Sequence, residues 1–467
     1  MKIVIIGAGI SGCTAYLQLR KHLPKPSPDT DHEFTIYEPY STQIDSTSED
    51  REEGATHSST LIVGGGLGVG ANGLSVLKRL DEDLLRDIVR GGYAVEYSNM
   101  KTKNGSLLIR MESKVHQSGD DRPMHMVASS RHSIWKCLRM RIPDNVFVNK
   151  RISEVVANAS GRNVVKFADG SPDVEADLVI GADGIRSTAK RALFPEANED
   201  PYPPRYEGLV GIGGFLPSSE IKIEKGTMNF IFGGNGFFGY FYANSAATDP
   251  NRDSPYAVSE PGDTIAWWST YSIDECPDRK SIDKEAVARQ LRERHGEWKG
   301  PVVQKVINSV RVDHMYPTWT SPPLPTWERD GVVLVGDAAH ALPSTSGQGS
   351  SQALEDVEAL SLFLSHYLRQ VYEDSNPLTV ATQKQAIKVA AKRYMDLRQP
   401  HVKNILEKAQ KMQNTKRTMS FIQEQIMYCA LWILGCFPRM FSKPVNAIAE
   451  YRVTEEVDRV LTAESRE

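Results

Sequence analysis

Three short apolar runs set the framework of this chain. Residues 2–6, 176–180 and 331–335 are rich in Val, Ile and Leu, and each is followed directly by a glycine. Continuous apolar runs of this length, bounded by glycine, predict strands that are buried on both faces. The three runs lie far apart in the sequence, so the chain is predicted to return to the same region of the fold three times.

Helical spacing follows the first and the last of these runs. Apolar positions from Ile10 to Leu23 recur with a helical period, and a Leu/Val face extends from 354 to 368. Residues 202–272 are different, because aromatic-rich segments alternate there with Pro, Gly and Asn turns, which predicts a second sheet. The chain beyond about residue 377 is predicted to be helical.

The segment after the first run has the pattern Gly-x-Gly-x-x-Gly at Gly7, Gly9 and Gly12. A glycine turn between a buried strand and a helix lets a pyrophosphate approach the backbone, and the helix N-terminus presents free N–H groups to it. Glu38 ends the next predicted strand, where a carboxylate can accept hydrogen bonds from a ribose. The spacing exceeds the usual ~20 residues because residues 24–29 form an inserted loop. These features predict a dinucleotide site.

Two further stretches carry a similar glycine pattern. Residues 234–239 lead into an aromatic strand, so they predict a hairpin turn rather than a phosphate site. The pattern Gly66-x-Gly68-x-x-Ala71 lies between an apolar segment, 61–63, and a predicted helix. Its many glycines predict either backbone pressed against a flat ligand or an ordinary loop.

Composition narrows the classes of function. The chain has 467 residues, enough for about two to four domains, and a net charge of −4, which provides no basic surface for nucleic acid. Its five cysteines are scattered and lack CxxC spacing, which favours reduced thiols over disulfides or a metal site. Because a strand is predicted from residue 2, we expect no signal peptide and a cytoplasmic location.

One apolar segment could contact a membrane. Residues 426–437 are almost entirely apolar but too short to span a bilayer. They predict a docked C-terminal helix, with peripheral membrane contact as the alternative.

Each of the three predicted buried strands is followed by a motif. The motifs are Gly-x-Gly-x-x-Gly at 7–12, GADGIRS at 181–187, and GDAAHxxP at 336–343, and the last is followed by GQG at 347–349. On these motifs, residues 1 to about 370 resemble the class A flavoprotein monooxygenases with a p-hydroxybenzoate-hydroxylase-like fold. The resemblance implies an α/β fold in which a Rossmann-like FAD-binding domain is interleaved with a β-sheet substrate domain, plus C-terminal helices. The implied boundaries are 1–72, 105–200 and 300–372 for the FAD-binding domain, 73–104 and 201–299 for the substrate domain, and 373–467 for the helical region.

The resemblance also implies roles for individual residues. Glu38 would bind the adenosine ribose of FAD, Arg131 its phosphate or ribitol region, and Asp337 the ribitol. Asp183 would serve both FAD and NAD(P)H, and residues 347–350 would place backbone N–H groups against the isoalloxazine. The complete predicted cofactor set is Gly7, Gly9, Gly12, Glu38, Gly66, Gly68, Arg131, Asp183, Gly184, Gly336, Asp337, Pro343, Gly347, Gln348, Gly349 and Ser350.

The implied activity is that of an NAD(P)H-consuming monooxygenase with O2 as co-substrate. Such an enzyme inserts one oxygen atom, by hydroxylation or epoxidation through a flavin C4a-hydroperoxide, into a planar aromatic or heteroaromatic small molecule. Indole alkaloids and phenolic polyketides of secondary metabolism are examples. An FAD-dependent reductase of the geranylgeranyl-reductase type shares the FAD motifs and stays open as an alternative, as does an FAD-bearing interaction protein. The sequence leaves open NADH against NADPH and the oligomeric state.

Residues that act on the substrate are harder to assign. His57, Lys190, Arg191 and Tyr240 are the candidates, because a cation or a phenol hydroxyl could hold a substrate oxygen or donate a proton. Seven aromatic residues of the second sheet are predicted to exclude water, and some three of them to line a planar substrate. They are Phe232, Phe237, Phe238, Tyr240, Trp267, Trp268 and Tyr271.

Overall fold

The computed structural model of the chain describes residues 1–27, 29–44, 66–116, 122–219, 221–277, 283–309, 315–374, 379–413, 418–437 and 446–466. The strands are β1 (Lys2–Ile6), β2 (Glu33–Tyr37), β3 (Gly66–Val69), β4 (Gly92–Val95), β5 (Tyr97–Thr102), β6 (Leu107–Glu112), β7 (Met126–Ser130), β8 (Phe147–Val148), β9 (Ile152–Val156), β10 (Asn163–Phe167), β11 (Val174–Ala176), β12 (Leu178–Gly181), β13 (Arg205–Pro217), β14 (Thr227–Gly233), β15 (Gly236–Tyr242), β16 (Thr264–Ser272), β17 (Met315–Thr320), β18 (Glu328–Arg329) and β19 (Val332–Leu334). The α-helices are α1 (Ile10–His22), α2 (Ala71–Leu80), α3 (Glu82–Arg90), α4 (Arg131–Arg139), α5 (Lys284–His295), α6 (Pro301–Ser309), α7 (Asp337–His340), α8 (Gly349–Asp374), α9 (Val380–Gln413), α10 (Phe421–Cys436) and α11 (Val453–Glu464). Single 3-10 turns occur at Asp144–Val146, Ala189–Leu193 and Ser344–Ser346.

The three apolar runs predicted as buried strands are neighbours in one sheet. Its strand order is β18-β19-β12-β1-β2-β8, and β1 pairs in parallel with both β12 and β2. Ile6 lies opposite Gly181, and Gly181 lies opposite Leu334. The carboxyl ends of β1, β12 and β19 therefore meet at one edge of the sheet. That edge is where ligands bind in open parallel sheets.

A seven-stranded sheet forms the second layer, in the order β17-β13-β16-β15-β14-β5-β6. Side chains alternate between its two faces, which divides the predicted aromatic wall. Phe232, Phe237 and Trp268 share one face, whereas the second face carries Phe238, Tyr240, Trp267 and Tyr271. The second face is covered by α5 and α6, whose Leu291 and Val303 are fully buried in the same cluster. Because of this division, at most part of the aromatic set can face a substrate.

Two small sheets differ from the sequence prediction. The alternating apolar segments between residues 146 and 167, which read as consecutive strands of one meander, are divided between two sheets: β8 joins the parallel sheet, and β9, β10 and β11 make an antiparallel ladder. The glycine stretch at 66–71, for which the sequence predicts backbone against a flat ligand or an ordinary loop, contains strand β3, which pairs with β7, and β7 pairs on its other side with β4. The predicted strand at 61–63 lies outside the described residues.

The helical part is more closely joined to the parallel sheet than the predicted boundaries suggest. α8 packs against α1, α2 and α9, so the long C-terminal helix α9 shares the hydrophobic core around the parallel sheet. The prediction placed 73–104 with the substrate domain, yet α2 packs on α8 and α3 on α4. It placed 105–200 with the FAD-binding domain, yet β6 is an edge strand of the seven-stranded sheet. These differences follow from tertiary pairing, which local patterns do not encode.

Candidate active site

The glycine turn after β1 packs against the neighbouring motif. A Cβ added to Gly7 would stand 2.5 Å from the carbonyl oxygen of Ala182, and one added to Gly12 would overlap the carbonyl oxygen of Gly7. Only glycine allows this close approach of turn, strand and helix. Trp135 of α4 fixes the turn further, because its Nε1 donates a 2.7 Å hydrogen bond to the carbonyl of Ala8.

Glu38 lies beside this turn at the end of β2. Its Oε2 accepts the N–H of Ala8 at 2.8 Å, and its Oε1 accepts the N–H of Tyr40 at 3.2 Å. Burial raises the pKa of Glu38, although these two hydrogen bonds oppose the shift. Each carboxylate oxygen has a second lone pair, so Glu38 keeps acceptor capacity for a hydroxyl group of a ligand.

Asp183 organises the turn that follows β12. Its Oδ2 accepts the N–H groups of Thr188 and Ala189 at 2.6 and 3.2 Å, which starts the 3-10 turn at Ala189–Leu193. Its Oδ1 is buried and has no hydrogen-bond partner among the described residues. Burial raises the pKa of Asp183. A buried carboxylate oxygen without a partner is costly unless a ligand supplies a donor.

Gly336, in the third motif, packs closely against the first motif. Its φ is +58°, and a Cβ there would stand 2.5 Å from Ser11 Oγ at the start of α1. Asp337 follows as the first residue of α7, with its side chain exposed. No hydrogen bond to the Asp337 carboxylate forms within the described part of the chain, so it is available to a ligand at this edge.

The remaining predicted cofactor segments meet nearby. Gly70 ends the β3 segment next to Asn72, whose Nδ2 donates to Gln348 Oε1 at 3.0 Å. Pro343 precedes the 3-10 turn that leads to Gly347, where α8 is about to begin. Arg131 is exposed at the start of α4, one residue after Ser130, which is the strand partner of Gly66. Gly66 and Gly68 belong to β3 itself.

The residues present fit a dinucleotide cofactor. A Cβ added to Gly184, Gly347 or Gly349 would meet no protein atom within 4 Å, so these backbones border open space. Ser350 Oγ and Asp183 Oδ1 are both buried, and neither has a hydrogen-bond partner in the part of the chain that the structure describes. The first turns of α1 and α8 supply N–H groups and the positive ends of helix dipoles.

Two of the four predicted substrate-acting residues, Lys190 and Tyr240, make their contacts elsewhere in the described part of the chain. Lys190 is buried, with its Nζ 2.5 Å from Asp200 and donating to the Tyr202 carbonyl, so it stabilises its own turn. Arg191 is exposed in the same turn. Tyr240 faces α5 and α6, on the side of the sheet away from β3. His57 lies outside the described residues.

A buried ionic cluster behind the site was not predicted. Arg398 of α9 is fully buried, and its Nε donates to Asp356 Oδ1 at 3.0 Å while its Nη1 lies 2.7 Å from Glu355 Oε2. Asp356 Oδ2 in turn accepts the N–H of Gly336 at 3.1 Å and lies 2.5 Å from His340 Nε2. The cluster therefore fixes the Gly336–Asp337 turn from behind. Two adjacent acids on the apolar stripe of α8 are the sequence signal that could have indicated it.

Comparison with known proteins shows which family the chain belongs to. The family model described as "FAD binding domain" matches residues 145–391, more than half of the chain. The chain belongs to the FAD-binding domain family. The matched region includes Asp183, Asp337 and α8. The match confirms FAD as the cofactor predicted from the motifs.

Proteins that are named for monooxygenase or hydroxylase activities are similar to this chain over most of its length. The 6-hydroxynicotinate 3-monooxygenase of Pseudomonas fluorescens is 24% identical over 320 residues, 68% of this chain and 76% of that protein. The FAD-dependent urate hydroxylase of Mycolicibacterium vanbaalenii is 26% identical over 369 residues, 77% and 78% of the two chains. The structure of Klebsiella pneumoniae HpxO complexed with FAD and uric acid superimposes with a TM-score of 0.68 at 18% identity, over 96% of this chain and 97% of HpxO.

These findings confirm the class A resemblance and the α/β fold with C-terminal helices. This member of the FAD-binding domain family is an FAD-dependent monooxygenase, and its relatives favour neither the reductase nor the non-catalytic alternative. Within the described residues, no helix is both long and apolar enough to cross a membrane.

Proposed function

We propose that this monooxygenase uses NAD(P)H and O2 to insert one oxygen atom into a planar, electron-rich aromatic or heteroaromatic small molecule. The observation that carries the proposal is the meeting of three separate motifs at one sheet edge, next to an aromatic face of the second sheet. Relatives named for 6-hydroxynicotinate and urate support a small heteroaromatic ring that contains nitrogen and carries oxygen substituents.

The face of the seven-stranded sheet that lies next to the site is lined by aromatic rings grouped around Trp268, against which a flat ring could pack. Trp268 lies 5.9 Å from Phe230 and 5.9 Å from Phe237, measured between ring centroids, and 5.8 Å from Phe241. A Cβ added to Gly66 would touch the Phe241 ring, so this face meets the strand that leads to Gly70. Phe230 and Trp268 are half-buried, whereas the aromatic residues on the opposite face are sealed in a core. Edge-to-face aromatic surroundings suit a planar substrate and exclude water.

We assign roles to the residues at the sheet edge as follows. Bound FAD would supply the redox chemistry, by accepting hydride from NAD(P)H and activating O2. The first turn of α1 would bind the pyrophosphate, and Glu38 would accept hydrogen bonds from the adenosine ribose. Asp337 would hold the ribitol, and the N-terminus of α8 at Gly349 would stabilise negative charge on the adjacent ring.

The test is a panel of hydroxypyridines, phenols and indoles added to the FAD-loaded protein. The proposal predicts that the true substrate accelerates NADH or NADPH oxidation and gains one oxygen atom, labelled when 18O2 is supplied. A product that forms equally well without O2 would contradict oxygen insertion and support a reductase.

Asp337→Ala is expected to weaken FAD binding by roughly 10- to 100-fold, because a hydrogen bond from the cofactor to a charged group is lost. The measurement is the ratio of flavin to protein absorbance after dialysis, with Asp263→Ala as the matched exposed control. Full FAD retention by Asp337→Ala would remove this residue from the proposed site.

A further inference from the structure

Helix α10 has its polarity reversed relative to an ordinary surface helix. Its one charged residue, Glu424, points inward and is 3% exposed, where it pairs with Lys103 Nζ at 2.9 Å. Outward positions are apolar instead: Phe421 is 72% exposed, Ile422 70% and Ile426 63%. A surface helix in water normally has the opposite arrangement.

The apolar surface continues to the end of the helix. Trp432, Ile433 and Phe437 are each more than half exposed. With Phe421, Ile422 and Ile426 they form what we name the α10 apolar face. Contiguous exposed apolar surface of this kind marks an interaction site. Gln423 and Gln425 are the polar residues on the outward side of the helix.

The inner side of α10 is firmly attached, so the helix is a stable platform. Ser420 and Gln423 form a capping box at its N-terminus. Met427 is buried in a cluster with Phe232 and Phe237 of the seven-stranded sheet. The Tyr428 hydroxyl lies 2.7 Å from the carbonyl oxygen of Phe232. The apolar face is therefore held outward by specific contacts on the other side.

The charge of the surrounding sequence indicates what covers this face. From residue 411 to 445 the cations are Lys411, Lys416, Arg417, Arg439 and Lys443, and Glu424 is the single acid. An apolar helix flanked by cations at both ends has the composition of a helix that lies in the interface of an anionic membrane. A second copy of the chain fits less well, because the two partners would then both carry the same excess of cations in this part of the sequence.

We infer that the α10 apolar face inserts into the headgroup region of an anionic bilayer and holds the enzyme at the membrane surface. The helix lies parallel to the membrane plane, with Phe421 and Trp432 at interfacial depth, where amphipathic aromatic rings are favoured. Because the inner side of α10 packs on Phe232 and Phe237, docking brings the proposed substrate sheet close to the bilayer.

Vesicle flotation of the full-length, FAD-loaded protein tests the inference. We expect the wild type to float with phosphatidylcholine vesicles that contain phosphatidylserine, and to bind less well to phosphatidylcholine alone or in high salt. Ile422→Glu/Ile433→Glu should lower the partition coefficient roughly tenfold or more, because two apolar side chains become charged. FAD content should stay at the wild-type level.

Met140→Glu is the matched control, because Met140 is 62% exposed at the C-cap of α4, outside the α10 apolar face. It should float like the wild type. Failure of the wild type to bind either vesicle would overturn the inference. So would equal loss of binding in Met140→Glu, or a wild-type dimer without vesicle binding that Ile422→Glu/Ile433→Glu converts to a monomer in light scattering.

Discussion

Gly12→Ala is expected to lower the free energy of unfolding by about 3 kcal/mol or more, and to yield protein without bound FAD. The added methyl group would overlap the carbonyl oxygen of Gly7, which belongs to the backbone and has no side-chain freedom to move. The turn can relieve the overlap only by separating α1 from β1, and this separation removes the N–H groups proposed to bind the pyrophosphate. Urea denaturation and flavin absorbance would measure the two effects.

Gly349→Ala makes an informative partner for this variant. A Cβ at Gly349 meets no protein atom within 4 Å. Stability without cofactor should therefore stay within about 0.5 kcal/mol of the wild type. FAD affinity should fall, because the methyl group points into the space assigned to the isoalloxazine. Unchanged FAD affinity in Gly349→Ala would show that the ring lies elsewhere.

Arg398→Met is expected to cost about 3–5 kcal/mol of stability, because it leaves the buried Glu355 without its cation and Asp356 with His340 as its one remaining side-chain partner among the described residues. Glu355 and Asp356 are both at most 1% exposed. Burial raises the pKa of Glu355 to about 7 even with Arg398 present. The pKa of Asp356 is lowered by His340 and Arg398, although burial opposes this shift. Chemical denaturation at neutral pH measures the loss.

The double variant Arg398→Met/Glu355→Gln separates charge from packing. Glutamine mimics the protonated form of Glu355 and keeps an acceptor for Asn72 Nδ2, which lies 2.6 Å from Glu355 Oε1. It should recover part of the stability lost in Arg398→Met. Equal stability of the single and double variants would mean that Arg398 acts through its volume rather than its charge.

The sequence was sufficient to predict the parts of the site that depend on local patterns. The runs at β1, β12 and β19 are buried strands, and their glycine and aspartate motifs lie at one edge because the pairing is parallel. These features could be found because a buried parallel strand is a continuous apolar run without polar alternation. The glycine turns could be found because few other residues can replace glycine in them.

The residues expected to act on the substrate could not be placed in the same way. Tyr240 and Phe241 are adjacent in sequence but lie on opposite faces of β15, and the sequence does not say which face meets β3. Lys190 has a charge that could act on a substrate, but its ammonium group forms an ion pair with Asp200 that stabilises the local turn. Arg398 and Asp356 are 42 residues apart, so their pairing depends on how α9 packs on α8.

The most direct test of the central claim is a crystal structure of the FAD-loaded protein. We expect one FAD per chain, with its pyrophosphate at the first turn of α1, Asp183 and Asp337 in the same site, and its ring system beside residues 347–350. An FAD bound away from Gly9, Asp183 and Asp337, or contacts to one of these segments alone, would contradict it.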